Sequence, residues 1–143
     1  MATRLTLAHA TAIITTAFAK GRELNLKPLS VVVLDAGGHV IAFQRQDGAS
    51  NMRFDIARGK ASGALALGVS SRTIGTMAAE RPSFVASLGA IAVGGIIPVA
   101  GGVLIAGDDN MVIGAVGATG DTSDNDELCV IEGIKAAGLT AKS

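Results

Sequence analysis

The chain of 143 residues has no tryptophan and no tyrosine, and Phe18, Phe43, Phe54 and Phe84 are its only large aromatic side chains. Single-stranded nucleic acid is bound by stacking bases on rings, so this composition argues against that class of partner. Charge of one sign is missing as well: 12 basic residues balance 12 acidic ones. A duplex binder needs a clustered basic face, and none is present. Near-zero net charge leaves little repulsion between copies, which permits a homo-oligomer. Cys129 is the only cysteine, so no intrachain disulfide forms. Together with two histidines it offers no tetrahedral zinc spacing, and no metal site is expected. No uninterrupted apolar run reaches the length of a membrane span, because the nearest, residues 85–106, is broken by glycines and Pro98. The opening stretch, Met1 to Leu7, lacks the apolar core of a secretion signal. A cytoplasmic protein with no membrane partner is the expectation.

What is there is small and apolar. Hydrophobic residues make up 49% of the chain, supplied by Ala, Val, Ile and Leu among 19 glycines. A core of such side chains lets backbones approach closely, as where helices cover a sheet. The length fits one domain, residues 1–143.

Thr6 reads as the N-cap of a helix running to about Leu26, with Leu7, Ala10, Ile14, Ala17, Phe18 and Gly21 on one face. His9, Thr16, Lys20 and Glu23 fall opposite. Pro28 ends the helix. Leu29–Leu34 is a strand apolar on both faces, hence covered on both sides. The tight turn Asp35-Ala-Gly-Gly38 leads back through His39–Gln44 as an antiparallel hairpin. Ser50 is the expected N-cap of a helix from Asn51 to about Leu67, small or apolar nearly all round and so buried on more than one side. Ser70 or Ser71 caps a short helix through Ala79, and Pro82 opens another turn that continues through Ala86–Ala90. Two strands, Ile96–Val99 and Val103–Ala106, are expected around Gly101-Gly102. Met111–Ala118 reads as a central strand. A last helix ends near Ala137, with Gly138 as its C′ residue. The pattern is α/β with an antiparallel five-stranded sheet covered by helices.

Five motifs in this order resemble one family. Asp35-Ala-Gly-Gly38 with Arg45-Gln-Asp-Gly-Ala49, the helical Ile56–Ala61 with its Lys-Ala pair, Ala100-Gly101-Gly102, Gly114–Gly120 and Asn125-Asp126-Glu127 are similar to the GlcG/HbpS-like family. Two positions depart from its pattern: Ala100 stands where a proline is expected, and Asp121 where a second glycine is frequent. The resemblance spans nearly the whole chain. It implies a profilin-like three-layer α/β/α fold assembled into dimers or larger homo-oligomers. It also implies a bacterial protein that binds haem (heme) or sits among catabolic genes, with haem as the possible cofactor.

The candidate site residues follow from both readings. Arg53 and Lys60 lie seven apart on one helical stripe, and Gly59, Ala61, Gly63 and Ala64 surround Lys60 with little bulk. A cation there has room for an anionic ligand; alternatively its stem packs and its ammonium reaches solvent or an acid. Asp126 and Glu127 follow Ser123 in a near capping box, which accounts for them as a helix start. In a desolvating cleft they, with Lys60, are the candidate catalytic groups. Gly101 and Gly102 either offer backbone N–H groups to a ligand or simply make a turn. His9 and His39 are the possible haem ligands, though each also reads as a solvated histidine. Gly114-x-x-Gly117-x-x-Gly120 is not a dinucleotide fingerprint, since it lies inside a late strand. The expected function is small-ligand binding, to haem, a related tetrapyrrole or a small organic acid. The alternatives are an isomerase or lyase acting on a small carboxylate, and a structural or interaction module.

Overall fold

A computed structural model describes residues 4–143; the first three residues of the opening stretch read above lie outside it. The elements run α1 (Leu7–Glu23), β1 (Ser30–Asp35), β2 (Val40–Arg45), α2 (Arg53–Leu67), α3 (Ser71–Glu80), α4 (Pro82–Gly89), β3 (Gly102–Ala106), β4 (Val112–Thr119), α5 (Ser123–Ala136) and β5 (Thr140–Lys142). The five strands form one sheet in the order β2-β1-β4-β3-β5, every pair antiparallel.

Alternation along the strands sorts the core into two layers. Val31, Val33, Val103, Ile105, Val116 and Ala118 pack with Ala10, Ile13, Ile14 and Ala17 of α1 and with Cys129, Val130 and Ile134 of α5. Val32, Leu34, Leu104 and Ala115 face the other way, against Ala57, Ala61 and Ala64 of α2. The result is the expected three-layer α/β/α arrangement, and β1 is buried on both faces. Within α1, Leu7 is 64% exposed, and Ile13 takes the buried place expected of it.

Helix α2 lies unusually close to the sheet. Gly102 and Gly117 are direct partners across the β3–β4 ladder. A Cβ at Gly117 would stand 2.0 Å from the Ala57 carbonyl oxygen, and one at Gly102 2.3 Å from that of Lys60. The helix backbone therefore rests on two bare strand positions. Its outer side is covered too: Gly59 and Gly63 face Ile97 and Ile96, and Ile97 N donates to the Gly59 carbonyl at 3.2 Å. The burial expected on several sides of this helix is present.

Four expectations are corrected. Ile96–Val99 is not a strand, because Pro98 has no N–H to give a ladder and Ile97 gives its own to α2. Thr140–Lys142 fills the fifth place instead, beyond the expected end of regular structure. Ser50 is not the cap of α2; the helix starts after Met52, which caps with no side chain. Ser123 likewise gives way to Thr122, whose hydroxyl accepts from Asn125 N. Thr6 and Ser70 do cap α1 and α3. Helix α1 ends at Glu23, earlier than expected, with Asn25 at φ 57° turning the chain out.

The seat of α2 makes a prediction. Gly117→Ala forces the helix off the sheet and should lower unfolding free energy by about 3 kcal/mol or more in urea melts. Gly89→Ala, with nothing within 4 Å of the added carbon, should be neutral or stabilising.

Candidate functional site

Lys60 projects from α2 past the end of the sheet. Gly101, at φ 125°, leaves space for the side chain, and a Cβ there would stand 2.8 Å from Lys60 Nζ. Nζ donates to the Ala118 carbonyl at 3.0 Å and reaches Asp126 Oδ2 on α5 at 3.4 Å. The two side chains are only 2% and 1% exposed. Asp126 Oδ1 accepts from Asp121 N at 2.9 Å, so both carboxylate oxygens are engaged. The pair joins the two helical layers around the ends of β3 and β4.

Burial governs the electrostatics. It pushes the Lys60 ammonium below its ordinary value, against the pull of Asp126 and with a smaller push from Arg53. It also raises the Asp126 carboxyl, against the Asp121 N–H and Lys60. Both directions say that desolvation outweighs the attraction within the pair, the usual balance for buried ions. The small residues around Lys60 make room for backbone and for Ile96 and Ile97 rather than for an open cavity.

Arg53, one stripe along from Lys60, donates through Nη1 to Thr119 Oγ1 at 2.8 Å and through Nε to Ser50 Oγ at 3.0 Å. Glu127 does not join the Lys60 pair. It accepts from Arg72 Nε at 3.1 Å, while Arg72 Nη2 reaches Asp124. Thr119 and Arg72, both missed in the sequence, have no spacing signal: their partners lie 52 to 66 residues away. Asp121, at the position that departs from the family pattern, accepts from Asn125 Nδ2 at 2.8 Å and from Lys27 N at 3.1 Å. These donors, Asn125 foremost, hold its carboxyl at about 2 against an ordinary 3.8.

The histidines differ in preparation. His9 Nδ1 accepts from Thr6 N at 3.1 Å, closing a reciprocal capping box. That bond puts the ring proton on Nε2 and leaves no free lone pair. His39 Nδ1 stands 3.3 Å from Asp35 Oδ1, and the side chain is 82% exposed. Donation to that carboxylate, the assignment the geometry favours, leaves the Nε2 lone pair facing solvent. Cys129 is buried in the core, and burial raises its thiol to about 11, so it is an inert packing group. No group of His, Cys, Asp and Glu among the described residues is placed to hold a metal ion. No helix among them is long and apolar enough to cross a membrane.

A concavity of about 610 Å³ lies beside Leu5, Thr6, Asp35 and Ile113. A smaller one, about 250 Å³, lies between the hairpin turn at Ala36–Gly38 and Ser62, Leu65, Ala66 and Val93. Neither is lined by Lys60, Asp126 or Glu127; the larger hollow is not where the buried charges are.

Two outcomes test this geometry. Lys60→Met strands a buried carboxylate and should cost about 3–5 kcal/mol, whereas Lys60→Met with Asp126→Asn should cost clearly less, since no charge is left buried. The second concerns acid. Asp121 has a folded value below its unfolded one, so its contribution is present above about pH 4 and lost as pH falls towards 2. Asp121→Asn should flatten the stability–pH curve between those limits while leaving its neutral-pH slope alone.

Known proteins place this architecture. No curated protein matches the chain in sequence. Among solved structures, a Klebsiella pneumoniae protein named ORFY is 28% identical with a TM-score of 0.83, over 96% of this chain and 94% of that one. The PduOC:heme complex superposes with a TM-score of 0.85 at 19% identity, covering 98% and 99% of the two chains. HbpS gives 0.80 at 24%, covering 94% and 91%. The last two likenesses speak for the fold alone. The family model described as "Haem degrading protein HbpS-like" matches residues 5–135. The three-layer chain with its Lys60–Asp126 clasp belongs to the HbpS-like family.

Proposed function

We propose that this protein binds haem or a related tetrapyrrole, with His39 as the ligand to the iron. The observation that carries the reading is the Asp35–His39 arrangement. A carboxylate on Nδ1 fixes the ring and its tautomer and makes Nε2 a better donor, the outer-shell pattern found around metal-bound histidines. Asp35 is held in place by Gly37 N at 2.9 Å and His39 N at 3.0 Å, so the orienting group is itself rigid. These donors, His39 N foremost, keep its carboxyl below the ordinary range and therefore ionised. Apolar surface lies near the turn, from Val40, 46% exposed, and Val93, 89% exposed. Family membership and the likeness to a haem complex support the same reading. These residues suit haem: a free imidazole nitrogen beside apolar cover. Bound haem would supply the iron chemistry. The chain supplies the oriented imidazole and the apolar surround. Two partly apolar flanks on an exposed turn suit a face completed by a second copy, which makes a homo-oligomer part of the proposal.

The isomerase or lyase reading of Lys60, Asp126 and Glu127 has less support. Lys60 and Asp126 are each other's buried partners, and Glu127 is engaged by Arg72.

Haem titration followed by visible absorption tests the proposal. A saturable shift of the Soret band is expected, lost in His39→Ala and retained in His9→Ala. The same titration should raise the thermal midpoint as RT ln(1 + [L]/Kd) requires. A shift that survives His39→Ala sinks the assignment of the ligand. No shift at all, with no thermal response to cobalamin or short organic acids, sinks the binding function in favour of a structural module.

A further inference from the structure

The end of the hairpin remote from His39 carries a second unpartnered arrangement. Ser30 pairs directly with Arg45 on β2 and with Thr119 on β4. By alternation from Val32 and Leu34, the three side chains form a row on the face covered by α2. Directly opposed side chains in such a row have Cβ atoms about 5 Å apart. Ser30 is wholly buried, and its hydroxyl has no hydrogen-bond partner. A buried hydroxyl left unpaired costs free energy and needs a reason.

The first turn of α2 lies over this row, since Arg53 reaches Thr119 from it. That turn has no side-chain cap, and the N–H groups of Phe54 and Asp55 have no acceptor among the described residues. Arg53 uses Nε and Nη1, leaving Nη2 unbonded. Arg45 has no ion-pair partner among the described residues. Asp55, the acid of the same turn, is exposed and 200° round the helix from Arg53 at 100° per residue. Phe43 and Phe54, edge to face at 4.8 Å, form an apolar wall beside the row.

We propose that Ser30, Arg45, Arg53 and the uncapped first turn of α2 form a binding site for the carboxylate of a small organic acid. One carboxylate oxygen takes the Ser30 hydroxyl and Arg53 Nη2; the other takes the free amides of the turn, with Arg45 closing the outer side. The Phe43–Phe54 wall accepts the short apolar part of the acid. A planar two-oxygen acceptor suits a guanidinium fork, and a helix start favours negative charge. The site is independent of the haem reading, because it lies at the opposite end of the β1–β2 hairpin and contains no histidine.

Sodium propionate is the probe, with sodium chloride at equal ionic strength as the reference. Thermal unfolding of the wild-type protein should show a saturable rise in midpoint with propionate. Ser30→Ala removes the unpaired hydroxyl, so without propionate its midpoint should equal or exceed the wild-type value by up to about 3 °C. With propionate its rise should shrink at least threefold. Amide chemical shifts of the wild-type protein give a readout that needs no variant: propionate should move Phe54, Asp55, Ser30 and Thr119. No rise beyond chloride, an equal rise in Ser30→Ala, or shifts confined to other residues would each overturn the site. His39→Ala should leave the propionate response intact, so failure of the haem reading and of this one are told apart.

Discussion

The fold depends on how near α2 comes to the sheet. Two strand positions without side chains, Gly102 and Gly117, face each other across one ladder and take the backbone of Ala57 and Lys60 directly. A helix normally stands off a sheet by the length of its side chains. Here the gap is closed by absence, and the compensation is dispersion between tightly packed main chains. It explains why α2 is built from alanine and glycine on nearly every side. It also fixes Lys60. With its own carbonyl against Gly102, its stem has no route into the layer beneath and runs past Gly101 to the sheet end.

That route turns a packing constraint into an electrostatic one. The first turn of α5 carries Asp124 and Asp126, Glu127 follows at once, and each is met by a cation from the opposite layer: Lys60 from α2, Arg72 from α3. Acids at a helix start complement its dipole without help. The buried member of the set is different, because desolvation works against both ions. Its worth lies less in net stability than in register, since only one placement of α2 against α5 satisfies the ammonium and the carboxylate together. The exposed Arg72 contacts add little energy each and act by the same logic at the rim.

Local signals carried the sequence reading well, and non-local ones did not. The hairpin was legible because Asp35-Ala-Gly-Gly38 sits between two alternating runs, and Thr6 and Ser70 were legible as caps by residue type and spacing. Residues 96–99 failed because β-branched residues beside glycines look the same whether they pair with a strand or cross a helix. Thr140–Lys142 failed because three residues give no period. At the site, the small residues around Lys60 read as room for an anionic ligand, and the sequence could not say that backbone and two isoleucines fill it. The capping bond of His9 and the Asp35 partner of His39 lie three and four residues away. They were within reach of spacing arguments, and they separate two histidines that composition treats alike.

Groups near the ends of the sheet differ in what they leave open. At one end of the central strands the layers are clasped by ions whose partners are all inside the protein, and such a pair has nothing left to offer a ligand. A group available for binding must instead be held in position by one bond while another capacity stays open. His39 meets that condition through Asp35, and Ser30 meets it by being buried among donors with no acceptor of its own. Local rules are broken where structure alone gives no return for breaking them, and the uncapped start of α2 above an unpaired hydroxyl is such a place.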